Sequence, residues 1–192
     1  EGEYWQRMQE FLKQDIGVKA LLVGSIVGSA TVEQMNRFDI IDAHSYWNHP
    51  VFPGKDWDGK DYYVNNLSIL KDHMLGGLGA LSFMRVKGKP FSVTEYDHPW
   101  PNQYRYEMYP VLAAWAAWQD WDMIYPFSAD AELSNAGNFI TGYFDQLHDP
   151  LKVAALPFAA RIFRQALVGP AAEEVAFFWD KETELARLPS AR

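Results

Sequence analysis

The chain has 192 residues, 48% of them hydrophobic and 22% charged, which is typical of a globular protein with one sizeable core. Its formal net charge of −8 argues against a nucleic-acid partner, because binding a phosphate backbone needs clustered Lys and Arg side chains. The absence of cysteine excludes disulfides and thiolate metal ligands. No stretch approaches the ~20 apolar residues of a membrane span, so we expect no membrane partner, while the compartment stays open between secreted and cytoplasmic.

Predicted helices and short apolar strands alternate along the chain. We predict helices over 4–14, 31–36, 67–84, 104–121 and 151–168, and strands over 18–23, 38–43, 91–94 and 123–128. A further apolar run covers 174–179. Strands that alternate with helices predict βα units with a parallel sheet, and hence an α/β fold.

Aromatic side chains make up 16% of the chain, and many of them lie in predicted loops. The long loop 51–66 carries Trp57, Tyr62 and Tyr63. A loop of this length inside a compact domain is usually functional. Rings exposed in loops are typical of surfaces that stack on flat apolar faces, such as those of sugars.

Polar or aromatic residues follow each of the four predicted strands. Because parallel strands place their carboxyl ends on one face of a sheet, these side chains are expected to converge. They are Ser25, His44, Tyr46, Glu95, Ser128 and Asp130.

The predicted strand 91–94 leads directly into Glu95 and then into a loop rich in rings, with Tyr96, His98, Pro99 and Trp100. One interpretation is a solvated loop carboxylate, as most Glu side chains are. The alternative is a reactive carboxylate, because α/β enzymes place their chemistry at this end of a strand.

The stretch Lys89-Pro-Phe-Ser-Val-Thr-Glu95-Tyr96, together with His44-Ser-Tyr46, resembles clan A glycoside hydrolases, the group of family 5 cellulase-like enzymes. The resemblance covers roughly residues 1 to 170. It implies the C-terminal half, strands five to eight, of a TIM (β/α)8 barrel. Residues 171–192 would lead toward a following module.

The resemblance also implies the chemistry. Glu95 would be the nucleophile of a retaining β-glycoside hydrolase that needs no cofactor and no metal. Tyr46 would hydrogen-bond Glu95 and keep it ionised and oriented. The residues expected to contact the carbohydrate substrate are His44, Tyr46, Trp47, His98, Trp100, Phe127 and Asp130.

Two departures from the family pattern concern the active site. Family 5 members usually place a Trp platform after strand eight, where this chain has Tyr125, Phe127 and Ser128. The family's acid/base Glu lies in an Asn-Glu pair, which occurs nowhere in this chain. Retaining enzymes need that second carboxyl about 5–5.5 Å from the nucleophile.

Four βα units make only half of a barrel. An open half would expose two sheet edges and an apolar inner face, which are liabilities in water. We therefore expect either that this stretch is the C-terminal half of a longer enzyme whose N-terminal half-barrel is missing here, or that the half pairs, most simply as a homodimer that rebuilds an eight-stranded barrel.

Two other functions remain open at this point. Asp42, His44 and His49 could form the metal site of a metal-dependent barrel hydrolase, since strand-end Asp and His residues are common ligands. The half could instead be a catalytically inactive carbohydrate-binding unit.

Overall fold

Three parallel strands lie side by side, in chain order, at the centre of the protein. In the computed structural model, which describes residues 2–129, 139–178, 180, 182 and 183, β1 spans Ile41–Tyr46, β2 spans Phe91–Asp97 and β3 spans Met123–Ile124. β2 is the central strand and pairs in parallel with both neighbours. The predicted α/β class with parallel strands is therefore confirmed.

Helices connect and flank these strands. They are α1 (Gly2–Glu10), α2 (Val32–Met35), α3 (Gly77–Ser82), α4 (Met108–Trp118) and α5 (Pro150–Arg164), with a π-helical turn at Phe11–Asp15 and 3₁₀ turns at Ile69–Lys71 and Arg105–Glu107. No helix in the described part of the chain is long and apolar enough to cross a membrane.

Two of the helices begin at side-chain caps that are visible in the sequence. The Thr31 hydroxyl accepts a hydrogen bond from the Gln34 N–H, and the Gln34 side chain accepts one from the Thr31 N–H. This reciprocal capping box starts α2 at the residue where the predicted helix 31–36 begins. Asp149 caps α5, because its side chain accepts a hydrogen bond from the Leu151 N–H. Pro150 is the first residue of the helix, a position where no backbone N–H is needed.

The hydrophobic core lies between one face of the sheet and the helices. Ile41 and Ala43 of β1 face it, as do Phe91 and Val93 of β2. From the helices they meet Leu78, Leu81, Leu112, Ala116 and Ile162. Burying one sheet face against apolar helices is the main stabilising contribution in a domain of this class.

The first predicted strand, 18–23, does not form as a regular strand. Only Val23 bridges to Ile40, while the Asp39 N–H donates to the Leu22 carbonyl. Leu21 and Val23 remain 64% and 44% exposed. An apolar run forms a buried strand only where both of its faces are covered, and here the faces that carry Leu21 and Val23 are left largely uncovered by the described residues.

The fourth predicted strand, 123–128, is regular over two residues, yet its hydrogen bonding to β2 extends further. The Asp122 N–H donates to Phe91, that of Tyr125 to Val93 and that of Phe127 to Tyr96. Residues 122–127 therefore run along β2 up to the end of the strand that carries Glu95.

The apolar run predicted at 174–179 forms no strand over its described residues, 174–178. The Ala171 N–H donates to the Trp118 carbonyl, Glu174 pairs with Lys87, and the Phe177 ring contacts Phe83. The described part of the 171–192 segment therefore runs past α4 and residues 83–87.

Candidate functional site

A β-bulge places Glu95 opposite His44. Ala43 pairs with Val93, but the next pair is His44 with Glu95, so Thr94 is an extra residue on β2. An extra residue reverses the alternation of side chains beyond it. Tyr96 therefore joins the core, whereas Thr94 and Glu95 both contact polar side chains of β1.

Glu95 is hydrogen-bonded by Tyr46 and lies beside His44, both on β1. The Tyr46 hydroxyl donates a short hydrogen bond to Glu95 Oε2, as predicted from the sequence. His44 Nδ1 lies 3.5 Å from the same oxygen. The Glu95 side chain is 32% exposed, so the carboxylate is both fixed and accessible.

Burial and the hydrogen bond to Glu95 both raise the pKa of Tyr46 well above its ordinary value. The phenol therefore keeps its proton at neutral pH, and the hydrogen bond to Glu95 has a fixed direction, from hydroxyl to carboxylate.

A second hydrogen-bond chain fixes the tautomer of His44. Asp42 is buried and accepts the hydroxyls of Ser92 at 2.7 Å and Thr94 at 2.5 Å. The Thr94 hydroxyl has one hydrogen, which goes to Asp42, so its 2.7 Å contact with His44 Nε2 requires an Nε2–H donor. Neutral His44 therefore presents its Nδ1 lone pair toward Glu95, and only the imidazolium form would place a hydrogen there.

Aromatic rings line the side of the site beyond Tyr46. The Tyr46 ring contacts His49, Phe127 and Phe144, with centroids 5.3, 6.2 and 4.8 Å away. More rings follow on the loop after β1 and on the stretch before α5. We call this group the aromatic wall: His49, Phe52, Trp57, Tyr62, Tyr143 and Phe144.

Sequence reasoning did not identify Tyr143 and Phe144. They belong to no motif and lie far along the chain from β1. The Trp100 N–H donates to the Tyr143 carbonyl at 2.8 Å, and the Ser128 N–H donates to that of Phe144 at 3.0 Å. These backbone contacts place the two rings beside Tyr46, which no sequence spacing indicates.

The structure brings His44 and Tyr46 to Glu95 and places Phe127 against the Tyr46 ring, but it does not bring Trp47 or His98 to the carboxylate. Trp47 is buried, its indole N–H donates to the Leu67 carbonyl at 2.8 Å, and its ring fills the space beside Gly76. Gly76 has φ +54°, and a Cβ there would lie 2.4 Å from the indole. Trp47 is therefore a packing residue.

His98 is fully buried, and this burial lowers its pKa to about 3, so the ring is neutral at neutral pH. Its Nε2 lies 3.0 Å from the hydroxyl of Tyr96, which is buried and keeps its own proton because burial raises its pKa. Neither ring offers a surface to a bound sugar.

Of the remaining predicted residues, Trp100 is partly exposed and stacks on the Arg105 guanidinium, 4.6 Å from the ring centroid. Ser25 is half-buried and makes no described contact with Glu95. Asp130 lies outside the described residues.

Two buried ion pairs anchor the start of α5, one to the end of β2 and one to the 3₁₀ turn at Arg105–Glu107. Lys152 Nζ donates to Asp97 Oδ1 at 2.5 Å, with both side chains fully buried, and Arg105 pairs with Asp149. Burial raises the pKa of Asp97 to about 7, although Lys152 acts in the opposite direction. These pairs support the strand that carries Glu95 rather than offering charges to a ligand.

No family model, no curated protein and no solved structure matches this chain. Its chemistry is therefore argued from the geometry alone. That geometry combines one accessible carboxylate, a protonated tyrosine that holds it, a histidine beside it and a border of aromatic rings.

The described residues contain no group of three or more His, Asp and Glu side chains able to hold a metal ion. Asp42 already accepts hydrogen bonds at both oxygens, and His49 Nδ1 lies 2.9 Å from the Pro50 carbonyl. Asp42, His44 and His49 therefore do not form a ligand set in this part of the chain.

Proposed function

We propose that this chain carries the nucleophile of a retaining β-glycoside hydrolase, and that Glu95 is that nucleophile. The observation that supports the proposal best is the partly exposed Glu95 carboxylate at the end of a parallel strand, held by the Tyr46 hydroxyl. Carboxylates at the carboxyl ends of parallel strands are where barrel enzymes place their chemistry. The neighbouring rings are suited to a sugar face.

The proposed reaction is a double displacement. Glu95 attacks the anomeric carbon, the bond to the leaving oxygen breaks, and that oxygen takes a proton from a second carboxyl group. Water then hydrolyses the glycosyl ester and restores the carboxylate. Oε2 holds the Tyr46 hydroxyl and no described residue donates to Oε1, so Oε1 is the proposed attacking atom.

The second carboxyl group is not provided by the neighbouring described acids. Asp42 accepts hydrogen bonds from the hydroxyls of Ser92 and Thr94, and Asp97 forms an ion pair with Lys152. We therefore propose that the acid/base group comes from a covering unit. That unit would be an N-terminal half-barrel or a second copy of this chain.

Apolar surface on both flanks supports such a covering unit. Leu21 and Val23 are exposed along the outer side of β1, and Leu151, Leu156 and Phe158 are exposed on α5. Association would remove such exposed apolar side chains from water, and large exposed apolar patches mark interaction sites. We propose that these flanks close a (β/α)8 barrel, most simply as a homodimer.

Covalent labelling tests the role of Glu95. A 2-deoxy-2-fluoro-β-glycosyl fluoride has a leaving group that departs without protonation, so trapping does not require the second carboxyl. We expect mass spectrometry to find one fluorosugar on the peptide containing Glu95. Glu95→Gln should abolish the label, and the exposed control Glu174→Gln should retain it.

A carbohydrate-binding half without catalysis is the second candidate, favoured by the lack of a second uncommitted carboxylate among the described neighbours of Glu95. Calorimetry that shows oligosaccharide binding, with no label on Glu95 and no hydrolysis, would select this candidate over the hydrolase.

A further inference from the structure

The loop between β1 and the Ile69–Lys71 turn folds back on itself as a hairpin. Val51 and Tyr63 pair in an antiparallel bridge, with N–H···O distances of 2.9 and 3.0 Å in the two directions. The bridge places residues 54–60 at the tip, and Trp57 lies at the centre of that tip. Its indole is 62% exposed.

The backbone of Trp57 indicates that this exposure is not incidental. Its φ is +64°, a left-handed conformation that is unfavourable for a bulky residue. Such a conformation usually persists because its surroundings enforce it, and it is found more often at binding sites than elsewhere. Burial of the ring does not explain it, since most of the indole remains in solvent.

Three rings of the aromatic wall hold the indole in place. His49 contacts it edge-on at 5.5 Å and 85°, while Phe52 and Tyr143 lie at 5.5 and 6.5 Å in tilted arrangements. The indole is therefore supported by neighbouring rings without being covered by them, which is the arrangement a stacking platform needs.

The platform is continuous with the Glu95 site. Tyr46 donates to Glu95, the Tyr46 and His49 rings are 5.3 Å apart, and the His49 and Trp57 rings are 5.5 Å apart. Two ring-to-ring steps therefore separate Trp57 from the side chain that orients the carboxylate. A ligand longer than one ring could contact both.

The residues around Trp57 indicate the kind of ligand. Five charged residues lie close to Trp57 in the sequence, which gives three carboxylates and two ammonium groups: Lys55, Asp56, Asp58, Lys60 and Asp61. A rim of mixed charge does not favour a strongly charged ligand, but it offers donors and acceptors to hydroxyl groups. A flat apolar face bordered by hydroxyl partners fits a neutral sugar ring.

We infer that Trp57 is the stacking platform of a second sugar subsite, next to the one at Glu95, for a neutral oligosaccharide. This inference rests on the proposed function. It places the platform on the loop after β1, whereas the family resemblance would place a Trp directly after the last strand, where this chain has Tyr125, Phe127 and Ser128.

Calorimetric titration in the Glu95→Gln background, which prevents turnover, tests the inference. The probes are β-1,4- and β-1,3-gluco-oligosaccharides and β-1,4-manno-oligosaccharides, from disaccharide to hexasaccharide. We expect affinity to rise with chain length when Trp57 is present. Trp57→Ala should weaken the longest bound probe roughly tenfold and remove the length dependence, whereas Trp57→Phe should retain part of both.

Trp118→Ala is the matched control, because Trp118 is also an exposed tryptophan but lies at the end of α4. It should bind all probes as the parent does. A measurement without substitutions gives a second readout: N-bromosuccinimide should oxidise Trp57 in the free protein, and the longest bound probe should protect it.

Two results would overturn the inference in different ways. If Trp57→Ala keeps full affinity and length dependence while Glu95 is still labelled by the fluorosugar, the platform is refuted and the proposed function stands. If none of the probes binds and Glu95 is not labelled, the proposed function fails and the platform fails with it.

Discussion

Replacing Tyr46 by Phe tests how Glu95 is held. The substitution removes the hydroxyl that donates to Oε2 and keeps the ring packed against Phe127 and Phe144. A hydrogen bond to a charged group is worth about 1.5–3 kcal/mol. Because the Glu95 side chain is 32% exposed and water can partly replace the hydroxyl, we expect about 1.5 kcal/mol, the lower end of that range.

That free energy corresponds to roughly a tenfold loss in rate. The assay is the rate constant for covalent labelling by the fluorosugar, measured over a concentration series by intact-protein mass spectrometry. The midpoint of thermal unfolding should change little, since the ring contacts remain. A labelling rate within twofold of the parent's, in a variant that still unfolds at the parent's temperature, would refute the idea that Tyr46 orients the nucleophile.

Three further predictions concern the support of the site and its flanks. Thr94→Val should lower the free energy of unfolding, measured in urea, by about 1–3 kcal/mol, because buried Asp42 loses a hydrogen-bond donor. Thr94→Ser keeps the hydroxyl and should retain most of that stability. Equal losses in the two variants would contradict the hydrogen-bond chain. The Asp97 carboxyl should titrate near pH 7 when followed by ¹³C NMR. Because the folded state then holds this proton more tightly than the unfolded state does, the contribution of Asp97 to stability should fall as the pH rises from about 4 to about 7. A titration midpoint below pH 4 would refute this. Phe158→Lys should shift the mass in sedimentation from twice 22.0 kDa toward 22.0 kDa with the helix content unchanged, whereas an unchanged mass would argue against α5 as the closing surface.

The parallel α/β arrangement could be predicted because short apolar runs alternate with amphipathic ones. Local sequence is enough to predict three elements: the strand at 91–94, the helix capped by Thr31 and the helix that starts at Pro150. The run 18–23 reads as a strand for the same local reason. It does not form one because it makes only an isolated bridge, Val23 to Ile40, and its apolar side chains Leu21 and Val23 are not covered by the rest of the fold. Such pairing and burial depend on distant parts of the chain, which local sequence cannot show.

The site could be predicted only in part. His44, Tyr46 and Glu95 were identified because they follow strands and share a direction. The bulge at Thr94 could not be predicted, because a bulge depends on how two strands pair and has no signature in the local sequence here. The family resemblance predicts that Trp47 contacts the sugar, but the structure packs its ring beside Gly76 instead.

The central claim is that the Glu95 carboxylate attacks an anomeric carbon. Chemical rescue of Glu95→Ala by azide tests this directly, because azide can enter the space that the carboxylate leaves and displace an activated leaving group from a β-glycoside. The measurement is the anomeric configuration of the product by proton NMR. We expect the α-glycosyl azide, whereas a β-glycosyl azide, or no azide adduct from a folded variant, would show that Glu95 is not the nucleophile.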